Sequence, residues 1–112
     1  MYERLFGMEA EFFKALAHPT RVRILKLLKN NERCVCEFTE DLGVEQSNMS
    51  QHLAILRKQG ILSFRKEGLK VIYKVNYPQV FAILDLVEEM LISQVNETLK
   101  LLDKRPKRKG GE

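Results

Sequence analysis

The fold is decided by the stretch "QSNMSQHLAILRKQG", residues 46–60. On a helix that turns by about 100° per residue, Met49, Leu53 and Leu56 fall within about 60° of one another. This spacing predicts an amphipathic helix that buries those three side chains, and Gly60 is typical of a helix end. The opposite side is small and uncharged near its N-terminus, whereas solvated helix faces usually carry Glu and Lys. It consists of Ser47, Ser50, Gln51, Ala54 and Lys58.

The segments on either side of this helix predict the rest of a DNA-binding unit. "CVCEFTEDLG", residues 34–43, is interpreted as a short helix that Gly43 ends. After the longer helix, "ILSFRKEGLKVIYKVN" alternates apolar and polar residues around Glu67-Gly68, which predicts a β-hairpin. A short helix, a turn, a longer helix and a hairpin in this order form a winged helix-turn-helix.

Three further helices complete a predicted fold that is mostly α with a β-hairpin wing. Apolar residues recur at helical spacing over roughly the first seventeen residues, and again after Pro19, which suits the first position of a helix. A long last helix begins after Pro78 and reaches about Asp103. Its apolar stripe is too wide for one small core, so we expect a homodimer through the first and last helices. The alternative is a last helix buried entirely within its own chain.

Length and composition describe one basic globular domain. The chain has 112 residues, of which 45% are hydrophobic and 30% charged, and its formal net charge is +4. This balance favours anionic partners. We expect the winged helix-turn-helix domain to cover residues 1–103 and residues 104–112 to form a disordered basic tail.

The sequence also sets an expectation for the compartment. No apolar run approaches the roughly 18 residues that span a bilayer. The N-terminal segment lacks the apolar region of a signal peptide. We therefore expect a cytoplasmic protein without a membrane partner, whose cysteines are reduced.

The polar side of residues 46–58 and the hairpin form the predicted contact surface for double-stranded DNA. Gln can pair with adenine edges and Ser tolerates several bases, whereas Arg and Lys suit phosphates. A charge run is usually only solvated, but one directly after a helix-turn-helix indicates DNA binding. For His52, a structural hydrogen bond or a phosphate contact is preferred over metal ligation. The predicted contact residues are Gln46, Ser47, Asn48, Ser50, Gln51, His52, Arg57, Lys58, Arg65, Lys66 and Lys70.

Four motifs resemble the ArsR/SmtB family of dimeric winged-helix repressors. They are "ALAHPTRVRILKLL", "CVCEF", "QSNMSQHLAILRKQGIL" and "RKEGLKVIYKV", and the match runs in register over roughly residues 10–103. One departure is His18, where the family usually has an acidic residue before Pro19-Thr20; we expect it to change only a helix cap. The resemblance implies binding to an operator, repression, and release when an ion or a small molecule binds.

The sensor sites of the family can be compared with this sequence in turn. Of the four ligand positions that the resemblance implies for a zinc site on the last helix, only Asp85 retains a ligand. A four-thiolate site is absent because the N-terminal segment has no cysteine. The third site is the arsenical pattern "CVC" followed by another cysteine. Cys34 and Cys36 match it, and Thr39 stands at the third position.

Cys34 and Cys36 leave three interpretations open. They can be a ligand pair for a soft ion, As(III) or Sb(III) before Cd(II) or Pb(II), with no cofactor required. The same thiols can form a redox or persulfide switch. Alternatively, Cys34 is a small core residue and Cys36 is incidental, which leaves a DNA-binding regulator without a metal sensor. Because residues i and i+2 of a helix point about 200° apart, we expect the helix start to unwind when both sulfurs hold one ion.

Catalysis is not expected. The sequence has no Ser/His/Asp or Cys/His grouping and no glycine-rich phosphate loop. A dithiol oxidoreductase does not fit, because no thioredoxin-like pattern of strand and helix surrounds the two thiols.

Overall fold

The computed structural model describes residues 2–29, 31–37, 39 and 42–103. Its helices are α1 (Tyr2–Leu16), α2 (Pro19–Leu27), α3 (Gln46–Lys58) and α4 (Gln79–Asp103). Its strands are β1 (Arg33–Cys34), β2 (Leu62–Glu67) and β3 (Lys70–Val75), and a 3-10 helix, Val35–Glu37, follows β1 directly. The predicted tail over residues 104–112 and part of the helix predicted over residues 34–43 lie outside the described residues.

Local sequence sets the ends of the helices. His18 caps α2, because its Nδ1 accepts a 3.0 Å hydrogen bond from the backbone N–H of Thr20. Pro19 takes the first helical position, where a missing backbone N–H removes no helical hydrogen bond. Gly60 follows α3 with a φ of +75°, in the left-handed region that glycine enters without a clash from a Cβ atom. The ends expected at Pro19 and Gly60 are therefore confirmed.

β2 and β3 form the predicted hairpin. They pair in antiparallel register from Leu62 opposite Val75 to Glu67 opposite Lys70. Gly68 at the tip has a φ of +62°, which residues with a Cβ atom rarely adopt. The hairpin expected around Glu67-Gly68 is confirmed.

β1 corrects the prediction for the first cysteine. The sequence predicts one helix over residues 34–43, and this is wrong at its start. Cys34 lies in β1 opposite Ile72 of β3, in a three-stranded sheet with the order β1–β3–β2. The physical reason is that the outer edge of β3 offers unpaired backbone groups, which two residues of extended chain can satisfy.

One compact unit of the chain ends at Phe81 and contains the core beneath α3 and the wing. Met49, Leu53 and Leu56 are all buried, which confirms the helix face predicted from their spacing. Because this side of α3 packs into the core, the opposite side is left to solvent. The most deeply buried side chains of the unit are Ile24, Leu25, Leu28, Met49, Leu56, Ile61 and Val80.

Both the first and the last helix expose large apolar side chains. The second compact unit begins at Ala82, and its part of α4 exposes Leu86, Val87, Met90, Leu91, Val95, Leu99 and Leu102. In the first unit, α1 exposes Leu5, Phe6, Met8 and Phe13. None of the described helices has the length and apolar character needed to cross a membrane. Contiguous exposed apolar surface commonly marks an interaction site.

Candidate nucleic-acid interface and thiol pair

The open side of α3 carries the residues predicted to read bases. Their side chains are short, and their amides and hydroxyls can donate to and accept from base edges. The exposed polar residues of the first two turns are Gln46, Ser47, Asn48, Ser50 and Gln51. Arg57 and Lys58 occupy the last turn. The structure thus exposes the predicted base-reading residues in the first two turns of α3 and places two cations in its last turn.

The end of α3 meets the base of the wing at Arg57. Its guanidinium carbon lies 4.6 Å from the centroid of the Phe64 ring, and the Phe64 ring centroid lies 5.6 Å from that of Tyr73. This cation–π contact restrains the guanidinium beside a shallow cleft between α3 and β2. The cleft is lined by Ala54, Arg57, Lys58, Leu62, Ser63 and Phe64. Two cations beside such a cleft suit a phosphate group.

Arg65 of β2 is held by two carboxylates. Its Nη1 donates a hydrogen bond to Glu32, and its Nε donates one of 3.1 Å to Glu67. The hydrogen bond to Glu32, followed by that to Glu67, raises the pKa of Arg65 above its ordinary value. Lys66 and Lys70 of the same wing are exposed. The phosphate contact predicted for Arg65 must therefore compete with carboxylates that already contact the guanidinium.

His52 faces α2 and is half-buried. Its Nδ1 lies 3.1 Å from Nη1 of Arg21, and its ring centroid lies 4.3 Å from that of His18. Desolvation by burial, and then the nearby His18 and Arg21, lower the pKa of His52. The structural hydrogen bond expected for His52 is present, and its phosphate contact stays a prediction.

Cys34 and Cys36 lie side by side and are joined as a disulfide, with their Cα atoms 5.3 Å apart. Cys34 is only 5% exposed, whereas Cys36 is exposed. The backbone N–H of Cys36 donates a 3.3 Å hydrogen bond to Sγ of Cys34. The sequence predicts two reduced thiols that point apart, and this structure differs. The predicted directions of the side chains are wrong because the chain changes from β1 to a 3-10 helix between the two cysteines, so the side-chain spacing of a regular helix or strand does not apply to them.

The thiol pair is connected to the wing and offers two sulfur donors. Arg33 and Glu37 form a 2.8 Å ion pair that spans both cysteines in the sequence. Thr39, at the third position of the arsenical pattern, is half-buried. Within the described part of the chain, no group of three or more His, Cys, Asp or Glu side chains is arranged to hold a metal ion. An ion bound to Cys34 and Cys36 would therefore draw further ligands from solution.

Two residues of this region were not anticipated from the sequence. Glu32 carries no local signal, because its partner Arg65 is 33 positions away. For Arg21 the sequence gives a weak signal, because the residue lies in the family-like motif "PTRVR". Nothing in that motif indicates that the Arg21 guanidinium contacts His52. Both contacts depend on how distant elements pack.

Comparisons with known proteins agree with this architecture. Residues 18–63 match the family model described as bacterial regulatory protein, arsR family. The HTH-type transcriptional regulator Rv0081 of Mycobacterium tuberculosis is 38% identical over 102 residues, which are 90% of each chain. Its crystal structure gives a TM-score of 0.77 and covers 85% of this chain and 96% of that one.

Two further proteins are similar to this chain in sequence or in structure. The arsenic resistance transcriptional regulator ArsR1 of Pseudomonas putida is 45% identical over 69 residues, which are 61% of this chain and 53% of that protein. The solution structure of the homodimeric winged helix-turn-helix DNA-binding domain Mb0332 of Mycobacterium bovis has 27% identity and a TM-score of 0.76, and covers 86% of this chain and 89% of that one. With a matching family model, similarity to Rv0081 over most of its length and a winged helix-turn-helix built around α3, the chain belongs to the ArsR/SmtB family of DNA-binding transcriptional regulators.

Proposed function

We propose that this regulator is a homodimeric repressor that leaves its operator when a soft ion binds Cys34 and Cys36. The observation that carries the proposal is the place of the thiol pair in the sheet. Cys34 belongs to β1, which pairs with β3 of the wing. A chemical change at the sulfur atoms therefore acts directly on an element expected to contact DNA.

The proposed DNA contacts divide between α3 and the wing. The open side of α3 offers amides and hydroxyls to base edges in the major groove, where each base pair shows a distinct pattern of donors and acceptors. Lys66 and Lys70 of the wing offer charge to phosphates, which fixes the position of the protein without reading sequence. Gln51 lies at the centre of the open side and is the strongest candidate for a specific contact.

Gln51→Ala is expected to reduce discrimination between operator and random DNA by about 1–3 kcal/mol, because it removes an amide that can pair with an adenine edge. Lys66→Ala is expected to weaken binding to both duplexes equally and to reduce the salt slope by about one phosphate contact. Dissociation constants at several salt concentrations would be measured for a duplex that the protein selects from a random library and for its scrambled counterpart. An unchanged specificity ratio for Gln51→Ala would show that another side of α3 reads the bases.

The homodimer is proposed because α1 and α4 each expose a row of large apolar side chains. Leaving such surface in water is unfavourable by about 25 cal/mol per Å², so a second copy that covers it gains stability. The homodimer described for the Mb0332 domain supports this assignment. A two-fold dimer presents two copies of α3, which accounts for a near-palindromic operator.

Val95→Glu is expected to convert the dimer to a monomer, because it places a charge within the exposed apolar row of α4. Ser93→Glu is the matched control: it adds the same charge two residues away, on roughly the opposite side of the helix. Light scattering should give about twice the 13.1 kDa chain mass for the unmodified protein and for Ser93→Glu. A folded 13.1 kDa species for the unmodified chain at micromolar concentration would contradict the dimer.

The chemistry of the pair favours a thiophilic ion of low coordination number. Thiolates are soft ligands, and the two protein sulfurs leave one position of a three-coordinate As(III) to a solution thiol. Each thiol displaces one hydroxide of arsenious acid as water, so binding involves no change of oxidation state. The disulfide of this structure must first be reduced by an external thiol or phosphine. The arsenic resistance named for the related ArsR1 supports As(III) as the first ion to test.

β1 connects the two sulfur atoms to the wing that is proposed to contact DNA. Glu32 immediately precedes this strand and holds Arg65 of β2, and Cys34 lies opposite Ile72 of β3. An ion that repositions β1 therefore disturbs both the edge of the sheet and the partner of a wing cation. The ion then binds the DNA-free form more tightly than the bound form, which is the condition for release.

A thiol redox switch is the second candidate, and the joined state of Cys34 and Cys36 favours it. Oxidation by hydrogen peroxide would remove two electrons from the two thiols, form the sulfur–sulfur bond and reduce the peroxide to two molecules of water. Solvent exposure of Cys36 makes it the accessible site of first attack. This switch uses the same connection through β1, so only the signal differs.

One titration separates the two candidates. Phosphine-reduced protein is bound to the selected duplex, and the phosphine is then removed under anaerobic conditions. Arsenite, cadmium and peroxide are added in separate experiments. Release by arsenite supports the proposed sensor. Reversible release by peroxide alone supports the redox switch, and no release by any of them indicates a regulator that does not use the pair as a sensor.

A further inference from the structure

Two histidines and one arginine connect α3 to the two helices before it. His18 caps α2, and its ring centroid lies 4.3 Å from that of His52 on α3. Arg21 of α2 places Nη1 3.1 Å from Nδ1 of His52. The same guanidinium donates hydrogen bonds of 2.7 Å and 3.3 Å to the carbonyls of Ala15 and Lys14 at the end of α1. His52 is therefore the α3 member of a connected set of polar contacts that reaches α1.

Both imidazoles accept hydrogen bonds through Nδ1. The backbone N–H of Thr20 donates to Nδ1 of His18 at 3.0 Å. Arg21 donates to Nδ1 of His52, because a guanidinium has donors and no acceptor. The Nδ1 of His52 must therefore lack a proton, which places the single proton of its neutral ring on Nε2. A second proton on His52 can enter only at Nδ1, where it would face the Arg21 guanidinium and remove the hydrogen bond.

The groups around His52 oppose its protonation. Those facing it from α2 and its cap are Arg21 and His18, and both are basic. From α1, the carbonyl of Lys14 lies beyond Arg21, while the Lys14 ammonium pairs at 3.2 Å with Glu11. Burial is the largest of the causes that lower the pKa of His52, followed by His18 and Arg21.

We propose that His52 makes operator binding sensitive to pH: its neutral ring, hydrogen-bonded to Arg21 and packed against His18, holds α3 in its DNA-reading position, and its protonation releases α3. The inference rests on the proposed role of α3 in reading DNA. A proton on His52 would abolish its hydrogen bond from Arg21 and bring a second positive charge against that guanidinium. This change loosens the contact between α2 and α3 without touching the thiol pair.

The direction of the pH effect follows from the lowered pKa of His52. The unfolded chain takes up its proton near the ordinary histidine value of about 6.5, whereas the folded chain resists it to lower pH. Stabilisation by the neutral ring is therefore fully present above this value and declines as the pH falls below it. Operator affinity should decline as the pH falls towards the lowered pKa of His52 in the folded protein, because the proton that the DNA-free protein takes up competes with operator binding.

The test removes both imidazoles while keeping their acceptors. The chain has two histidines, so the double variant His18→Asn, His52→Gln has none. Asn is a favoured cap for a helix, and the amide oxygen of Gln can accept from Arg21. Dissociation constants for the selected duplex are measured at about pH 5.5 and about pH 7.5, on either side of the ordinary histidine pKa. The unmodified protein should bind more weakly at the lower pH, by at most about tenfold per pH unit for each proton taken up, and the double variant should bind equally at both.

Two outcomes would overturn the inference: pH-independent binding by the unmodified protein, or a double variant that loses as much affinity as the unmodified protein. If the double variant does not fold, imidazole ¹⁵N shifts of the unmodified protein decide the question. They should show a proton on Nε2 of the His52 ring near neutral pH and protonation of His52 over the range in which DNA is released; a proton on Nδ1 of the neutral His52 ring overturns the inference. Failure of the proposed DNA-binding function would give a different result from failure of this inference: the protein would then select no duplex from the random library at either pH.

Discussion

Arsenite is expected to weaken operator binding by the reduced dimer about 5- to 150-fold, the usual range of coupling between two sites. Cys34→Ser and Cys36→Ser should each abolish this response and leave operator affinity near its original value. Serine preserves the shape of the side chain and lacks the soft thiolate that As(III) requires. Both sulfurs are needed because the described structure offers As(III) no third protein donor beside them. Fluorescence anisotropy of the labelled duplex, with and without arsenite, measures both properties on the same sample.

Thr39→Cys is expected to make the protein more sensitive to arsenite. In the arsenical pattern that the sequence resembles, this position carries the third cysteine, and Thr39 is half-buried close in sequence to the pair. The variant should respond to a lower arsenite concentration, because a protein sulfur replaces the solution thiol at a higher effective concentration. The sensor proposal would be wrong if arsenite bound both sulfurs, as judged by protection from a thiol-labelling reagent, while operator affinity stayed unchanged.

The second large effect concerns the core beneath α3. Leu56→Ala is expected to lower the free energy of unfolding by about 2–5 kcal/mol, because it removes apolar volume that the surrounding core cannot refill. Leu56 is 0% exposed. Urea unfolding followed by circular dichroism measures the change. The protein concentration must be held fixed, because the stability of a dimer depends on it.

Ile55→Ala is the control for this measurement. Ile55 precedes Leu56 on the same helix and is 40% exposed, so its replacement should cost about 1 kcal/mol or less. The two substitutions remove similar volume from adjacent positions and differ in burial. Equal losses at both positions would mean that the buried side of α3 has been assigned wrongly.

Elements with a clear period were predictable from the sequence. The face of α3 followed from the spacing of Met49, Leu53 and Leu56, since a side chain every three to four residues can reach only one side of a helix. The hairpin followed from alternation around Glu67-Gly68. In both cases the deciding information lies within a window of about sixteen residues or fewer, which is the range over which periodicity acts.

The remaining features depend on contacts that no local window contains. β1 has two residues and no period of its own, and it is a strand because the edge of β3 lies beside it. The sulfur atoms of Cys34 and Cys36 meet for the same reason, since the chain changes from strand to 3-10 helix between them. The contact of Arg21 with His52 joins residues 31 positions apart. Such pairings become visible only after the elements have packed.

The two carboxylates that hold Arg65 have a consequence for the proposed contact of the wing with DNA. Binding proteins displace condensed counterions from a duplex in proportion to the positive charge that they bring to its phosphates. Arg65, Glu32 and Glu67 together bring a net negative charge, because two carboxylates contact one guanidinium. In the proposed complex, this corner of the wing would therefore displace few counterions. The number of ions released on binding should reflect Lys66, Lys70 and the cations at the end of α3 more than the total count of basic residues.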